Sequence, residues 1–310
     1  MTTLLLTQPK DSEHITPEGH PECPARLLAV QEALGQQKFH QLKRETAKVS
    51  DLSLGAIVHS PGVLKTLQAA RPAAGIGQID ADTFISPGSL DAAGTALGAG
   101  MRAIEAVAMG EVDNAFCAIR PPGHHAEKDR SMGFCLLNTV AILARLIQKM
   151  HGAERVAIID FDVHHGNGTQ DIFFDDPNVF YGSSHQMPLF PGTGALEEVG
   201  AGNIFNAPLE AESDGEQMRE AYNERIFPAL RNFSPDFLLI SAGFDAHHRD
   251  PLANLNWRGI DYAWITGKLM DIADQKCSNR IVSLLEGGYN LEGLASGVTN
   301  HVTMLEKGSL

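Results

Sequence analysis

Five segments are apolar at almost every position: 114–119 (NAFCAI), 155–162 (RVAIIDFD), 178–184 (NVFYGSS), 237–243 (FLLISAG) and 280–287 (RIVSLLEG). Short runs of this kind mark strands buried on both faces, as in a parallel sheet covered by helices. Around them, 89–110, 135–150, 215–233, 258–275 and 291–306 carry apolar positions three and four residues apart, the spacing of helices with one core-facing stripe. The alternation predicts an α/β protein, a single domain over 1–310 with three layers, α/β/α, around a mainly parallel sheet. No repeat, low-complexity tract or Ser/Gly linker divides the chain.

In such a sheet ligands bind beyond the carboxyl ends of the strands, so the residues after each run carry the functional signal. Four ends stand out: RPPGHH (120–125), DFDVHHGNG (160–168), FDAHH (244–248) and GGY (287–289). Thirteen histidines give roughly half an adjacent pair by chance, whereas three pairs occur, at 124/125, 164/165 and 247/248. All three follow strands.

Asp162 and His164 lie two apart at the end of 155–162, so both side chains project from one face if the strand continues. Asp245, beyond 237–243, offers a third donor from a second strand end. Two carboxylates and an imidazole leave a coordination position open, and the mixture suits Zn²⁺ or Fe²⁺. Because two carboxylates nearly neutralise such an ion, water held there needs a separate base. His124 and His125, aimed by the stiff Pro121-Pro122-Gly123 turn, supply imidazoles for it, with Asp160 and Asn167 as orienting partners. Tyr289, after Gly287 and Gly288, is a phenol donor for the negative charge that develops on an attacked carbonyl.

Composition narrows the partners. The 310 residues are 43% hydrophobic and 20% charged, with a net charge of −14. That balance argues against nucleic acid or an anionic membrane as the main partner and favours a cationic substrate. Cys23, Cys117, Cys135 and Cys277 form no C-x-x-C pair, so reduced thiols are expected rather than disulfides or a thiolate zinc site. The start has no basic stretch before its leucines and no apolar run approaches a membrane span. The expected location is the cytoplasm.

The motifs RPPGHHAEKDRSMGFCLLN (120–138), DFDVHHGNGTQ (160–170), SAGFDAHHRDPL (241–252) and EGGYN (286–290) occur in this order. Together they resemble the zinc-dependent histone deacetylases and bacterial histone-deacetylase-like amidohydrolases of the arginase/deacetylase fold. The likeness covers nearly the whole chain, and GHPECPARL (19–27) resembles that family's first loop. Asn167, where class I enzymes carry Asp, and the RPPGHH form are similar to class II and bacterial members.

The resemblance implies one Zn²⁺ per chain, with Fe²⁺ as the alternative, held by Asp162, His164 and Asp245. It makes His125 the general base and acid, His124 its electrostatic companion paired with Asp160, and Tyr289 the carbonyl polariser. Phe134 and Phe190 match the aromatic walls of a tunnel for a lysine-like methylene chain, beside Gly133, and Arg26 matches an internal-channel arginine. A structural potassium ion is implied near Asp160, Asp162, His164, Ser183 and Ser184. Leu252 stands at the rim position where a polyamine-selective relative has glutamate, and Asp80 or Asp82 matches a rim aspartate that holds substrate backbone. His247 and His248 replace small residues, and His247 would face the metal if strand geometry continued. The related arginases add an aspartate after each metal motif, where Gly166 and His247 stand here, so a binuclear manganese site is disfavoured.

The expected function is therefore hydrolysis of N-acetyl-lysine, in a peptide or protein, or of a similar acylated amine, giving acetate and a free amine. The alternative is an acetylpolyamine or small-amide amidohydrolase. A catalytically silent acyl-lysine-binding module and an arginase-like enzyme are disfavoured. A homo-oligomer is compatible with the sequence.

Overall fold

The computed structural model describes residues 1–9 and 14–308. Ten strands occur among them: β1 (Thr3–Thr7), β2 (Lys43–Thr46), β3 (Gly77–Gln78), β4 (Phe84–Ile85), β5 (Asn114–Ala118), β6 (Val156–Asp160), β7 (Val179–Gln186), β8 (Ile204–Leu209), β9 (Phe237–Ala242) and β10 (Ile281–Leu285). The helices are α1 (Ala25–Leu34), α2 (Pro61–Ala70), α3 (Ser89–Ala108), α4 (Thr139–His151), α5 (Asn167–Phe173), α6 (Gly215–Ala221), α7 (Phe227–Phe233), α8 (Gly259–Cys277) and α9 (Leu291–Lys307). Eight strands form one parallel sheet in the order β2-β1-β5-β10-β9-β6-β7-β8. β3 and β4 make a separate antiparallel pair.

Alternate strand residues feed two cores, one on each face. Leu5, Phe116, Ile159 and Ile240 join side chains of α1, α8 and α9. Leu4, Cys117, Ile158 and Leu239 join those of α3 and α4. This is the three-layer α/β arrangement expected from the apolar runs, and all five of those runs are strands of the large sheet.

Three details differ from the sequence reading. The run 155–162 stops as a strand at Asp160, so Asp162 and His164 lie in the turn beyond it. The helix expected over 215–233 contains a wide turn at Tyr222–Ile226 joining α6 to α7; Pro228 has no N–H for the carbonyl four residues back, which favours such a break. Asn167, the expected orienting partner of the histidine pair together with Asp160, does not follow on the strand that carries Asp160 but opens helix α5.

The strand order creates the site. The chain builds β1, β2 and β5, jumps to β6, β7 and β8, and then returns to insert β9 and β10 between β6 and β5. The four motif-bearing strands thus become the four central neighbours, β5-β10-β9-β6. Their carboxyl ends open at the point where the order reverses, the usual place for a ligand.

Candidate active site

Asp162, His164 and Asp245 come together at these ends. One donor atom from each lies within 4.8 Å of the others, and all three residues are buried. His164 Nδ1 is 3.2 Å from Asp162 Oδ1 and 3.0 Å from Asp245 Oδ2. The turn, not a strand face, aims them: His164 N–H donates to Asp162 Oδ1 at 2.9 Å, Gly287 N–H to Asp162 Oδ2 at 2.8 Å, and Val163 N–H to Asp245 Oδ1 at 2.9 Å. Each carboxylate is thereby fixed by backbone donors from a neighbouring loop.

The cluster attracts positive charge. Burial alone lowers the pKa of His164, yet its contacts with Asp162 and Asp245 raise it to about 10. Burial and the Asp162 charge raise Asp245 to about 7. Asp162 is held below the usual carboxylate range by His124 and His164, against the pull of its burial. Two buried carboxylates converging on one imidazole therefore form a donor set that fits a divalent cation. A Cβ on Gly287 would clash with Asp245 Oδ2 and stand 2.5 Å from Asp162 Oδ2. Gly287→Ala should consequently push the Asp162 and Asp245 carboxylates apart and weaken divalent-metal binding by this cluster, measured by metal titration of the native and variant proteins; equal metal affinity in a folded Gly287→Ala protein would refute this packing.

The two adjacent imidazoles differ in partner. His124 Nδ1 lies 3.0 Å from Asp160 Oδ2, and His125 Nδ1 lies 2.8 Å from Asn167 Oδ1. Their rings are 4.0 Å apart. Burial lowers both pKa values, but Asp160, Asp162 and Glu286 raise His124 well above the ordinary range. His125 is pushed well below it by burial and by the charges of His124 and His164. The two adjacent imidazoles are thus shifted in opposite directions, a common way to separate acid from base.

The side chains of His125, His164, Tyr289, Phe134, Phe190 and Leu252, with Gly133, Leu189 and Asp82, line one cavity of about 240 Å³. Phe190 meets His125 edge-on at 5.1 Å and Phe134 meets Tyr289 edge-on at 5.7 Å. Gly133 and Phe134 both have positive φ, 57° and 67°, which swings the Phe134 ring toward Tyr289 and His20. Burial and the charges of Asp245 and Asp162 raise the Tyr289 phenol well above its ordinary pKa, keeping it a donor. Of the two rim aspartates, Asp82 borders the cavity. Asp80 Oδ1 instead accepts the N–H groups of Asp82 and Thr83 at 3.1 and 2.7 Å.

Arg26 is fully buried behind the cavity. Its guanidinium donates to Gly288 O at 2.7 Å and Glu286 O at 2.5 Å, pairs with Glu22 at 3.1 Å, and stands 5.0 Å from the Tyr289 ring. Asp160 and Ser183 are register partners on β6 and β7. The Ser183 hydroxyl is 2.9 Å from His185 Nδ1 and the Ser184 hydroxyl 2.9 Å from Tyr222 Oη. His247 is not in the metal-type cluster: it accepts the Arg249 N–H, its ring lies 4.4 Å from that of His248, and it packs near Gly293. The strand had already ended at Ala242, so the pleat does not carry His247 toward the triad. At Gly166 a Cβ would meet the His124–Asp160 contact, leaving no room for an aspartate there.

Four acidic residues escaped the sequence reading. Glu286 Oε2 accepts Gly123 N–H at 2.7 Å and His124 N–H at 3.2 Å, and its other oxygen accepts Ser241 Oγ–H. Glu22 joins Arg26 and Arg120 in a buried ion pair. Glu127 accepts from Asn167 at 2.6 Å. Asp250 accepts the N–H groups of Tyr289, Asn290 and Leu252. Their only sequence signal was position inside the four motifs or the first loop.

Comparison with known proteins gives a consistent result. A model of the histone deacetylase domain matches residues 20–305. Histone deacetylase 14, chloroplastic, of Arabidopsis thaliana is 39% identical, over 91% of this chain and 72% of that protein. A histone deacetylase-like amidohydrolase of Pseudomonas aeruginosa is 36% identical, over 88% of this chain and 73% of that one. The solved structure of the HDA15 HD domain superimposes with a TM-score of 0.88 at 31% identity, covering 98% of this chain and 89% of that one. Among the described residues no helix is long and apolar enough to cross a membrane.

Proposed function

The chain belongs to the histone deacetylase family, a family of hydrolases, and from this premise we propose that it is a zinc-dependent deacetylase. Its substrate in this reading is N-acetyl-lysine in a peptide or protein, and its products are acetate and the free amine. The observation that carries the reading is the convergence of Asp162, His164 and Asp245 beside a cavity that His125, Tyr289, Phe134 and Phe190 also line.

Asp162, His164 and Asp245 would hold the ion. When bound there, zinc supplies Lewis acidity that polarises the acyl oxygen and acidifies water. His125 takes the proton of the attacking water: its Nδ1–H is engaged by Asn167 Oδ1, so Nε2 is the free acceptor. The Tyr289 hydroxyl donates to the oxyanion formed at the acyl carbon. A protonated imidazole, with His124 held cationic by Asp160, then delivers a proton to the departing amine. Phe134 and Phe190 flank the methylene chain and exclude water, and Asp82 at the mouth favours a cationic or N–H-rich substrate.

Iron(II) would suit the same donors and is the alternative ion. A structural potassium ion at Asp160, Asp162, His164, Ser183 and Ser184 belongs to the proposal through family likeness, Asp160 and Ser183 being register partners on β6 and β7. Four free cysteines, three of them buried, are compatible with a reducing compartment such as the cytoplasm. Acetylated polyamines are the second substrate reading, supported by the net charge of −14.

The test is a parallel assay of a fluorogenic acetyl-lysine peptide, acetylputrescine and acetylspermidine, with and without chelator. Chelator-sensitive turnover of the peptide, faster than that of either polyamine, is expected. Turnover of polyamines alone would move the assignment to the second reading, and turnover insensitive to chelator would overturn the metal-dependent mechanism.

A further inference from the structure

Tyr289 sits in a turn that cannot hold itself. Gly287 and Gly288 precede it, and Gly288 has a φ of +119°, a conformation that glycine enters and leaves easily. Helix α9 begins only at Leu291. Yet the phenol is useful to the proposed reaction only if its hydroxyl is fixed where charge develops, since loosely held donors lose most of their effect.

One buried carboxylate meets this need. Asp250, 8% exposed, reaches the turn from the loop after β9 and accepts two successive N–H groups on its Oδ2, Tyr289 at 2.7 Å and Asn290 at 3.1 Å. Its Oδ1 accepts Leu252 N–H at 3.1 Å, and Leu252 lines the cavity that Tyr289 also lines. Asn290, so anchored, caps α9 by accepting Gly293 N–H at 2.9 Å. The ring itself is steadied by Arg26 and Phe134. Arg26 and Asp162 hold the backbone just before Tyr289, at Gly288 O and Gly287 N–H, whereas the N–H groups of Tyr289 and Asn290 themselves are accepted by Asp250.

We infer that Asp250 is the positioning residue for Tyr289, its carboxylate setting the turn so that the phenol reaches the reacting acyl group while the same carboxylate ties down the rim at Leu252. The inference rests on the deacetylase reading above. It touches neither metal nor substrate; it acts through Tyr289.

A double-mutant cycle separates this role from simple support of the fold. Asp250→Asn keeps the volume but removes the charge and replaces one acceptor oxygen by an NH₂, which must face either the Tyr289 and Asn290 N–H groups or that of Leu252. In the otherwise native protein it should lower kcat about 10- to 100-fold with KM changed less than about threefold and zinc content intact. In a Tyr289→Phe background the same substitution should cost less than about threefold, because the hydroxyl it positions is already gone. Asp250→Glu should restore part of the loss. Equal losses in both backgrounds, or a loss confined to KM, would overturn the positioning role. Should Tyr289→Phe alone leave kcat unchanged, the deacetylase mechanism itself would fail instead, so the two failures are distinguishable. If Asp250→Asn does not fold, Asp250→Ser, which retains one small acceptor, is put through the same cycle with the same requirement.

Discussion

Tyr289→Phe should lower kcat for an acetyl-lysine peptide about a hundredfold or more, the usual cost of one oxyanion donor. The substitution deletes one oxygen. The ring contacts with Phe134 and Arg26, 5.7 and 5.0 Å in this structure, do not involve the hydroxyl, so the cavity wall should persist and KM should move little. Tyr289 is not among the three converging donors, so zinc content should stay at the native level. Steady-state kinetics together with metal analysis of the same sample check both halves. A kcat within threefold of native would remove Tyr289 from the mechanism, and loss of the metal would mean that the drop has another origin.

His125→Ala should cost about 10²- to 10⁴-fold in kcat, the range for loss of a general base. The two neighbouring imidazoles differ in their partners. His124 faces a carboxylate that keeps it charged, while His125 faces the carbonyl of Asn167, which orients the ring without forcing a second proton onto it. Only His125 lines the cavity. Single-turnover rates for His125→Ala and Asn167→Ala should therefore rank with the histidine variant much the slower, Asn167 acting only through the ring it orients. A His125→Ala enzyme within tenfold of native would place the base elsewhere.

The legibility of this protein in its sequence follows from where each residue is buried. The central strands were readable because both faces are covered: β5, β6, β9 and β10 are buried along their whole length. At the edges the signal fails. β2 reads Lys-Arg-Glu-Thr, mostly exposed, and β8 is interrupted by Asn206 and Pro208, so neither shows an apolar run. Helices α1, α2 and α5 are short, and α1 has only a weak stripe to betray it.

At the site the residue types with chemistry were visible because they crowd the strand ends, and the structure brings the pair 124/125, the triad and Tyr289 together. Two-residue spacing alone suggests a shared strand face for Asp162 and His164, whereas the chain achieves their convergence by a turn in which His164 N–H closes onto Asp162. Glu286, Asp250, Glu22 and Glu127 were not legible as supports. A lone carboxylate looks the same whether solvated or buried, and the N–H groups that Glu286 and Asp250 accept lie as much as 163 residues away. Only the return of β9 and β10 into the middle of the sheet brings those partners within reach.

Catalysis by a single divalent ion gripped by Asp162, His164 and Asp245 is tested most directly by adding zinc stepwise to chelator-stripped protein while following acetyl-lysine hydrolysis. Activity should rise from the baseline in proportion to added metal and level off at one equivalent per chain. A plateau at two equivalents, or hydrolysis already complete in the stripped protein, would contradict it.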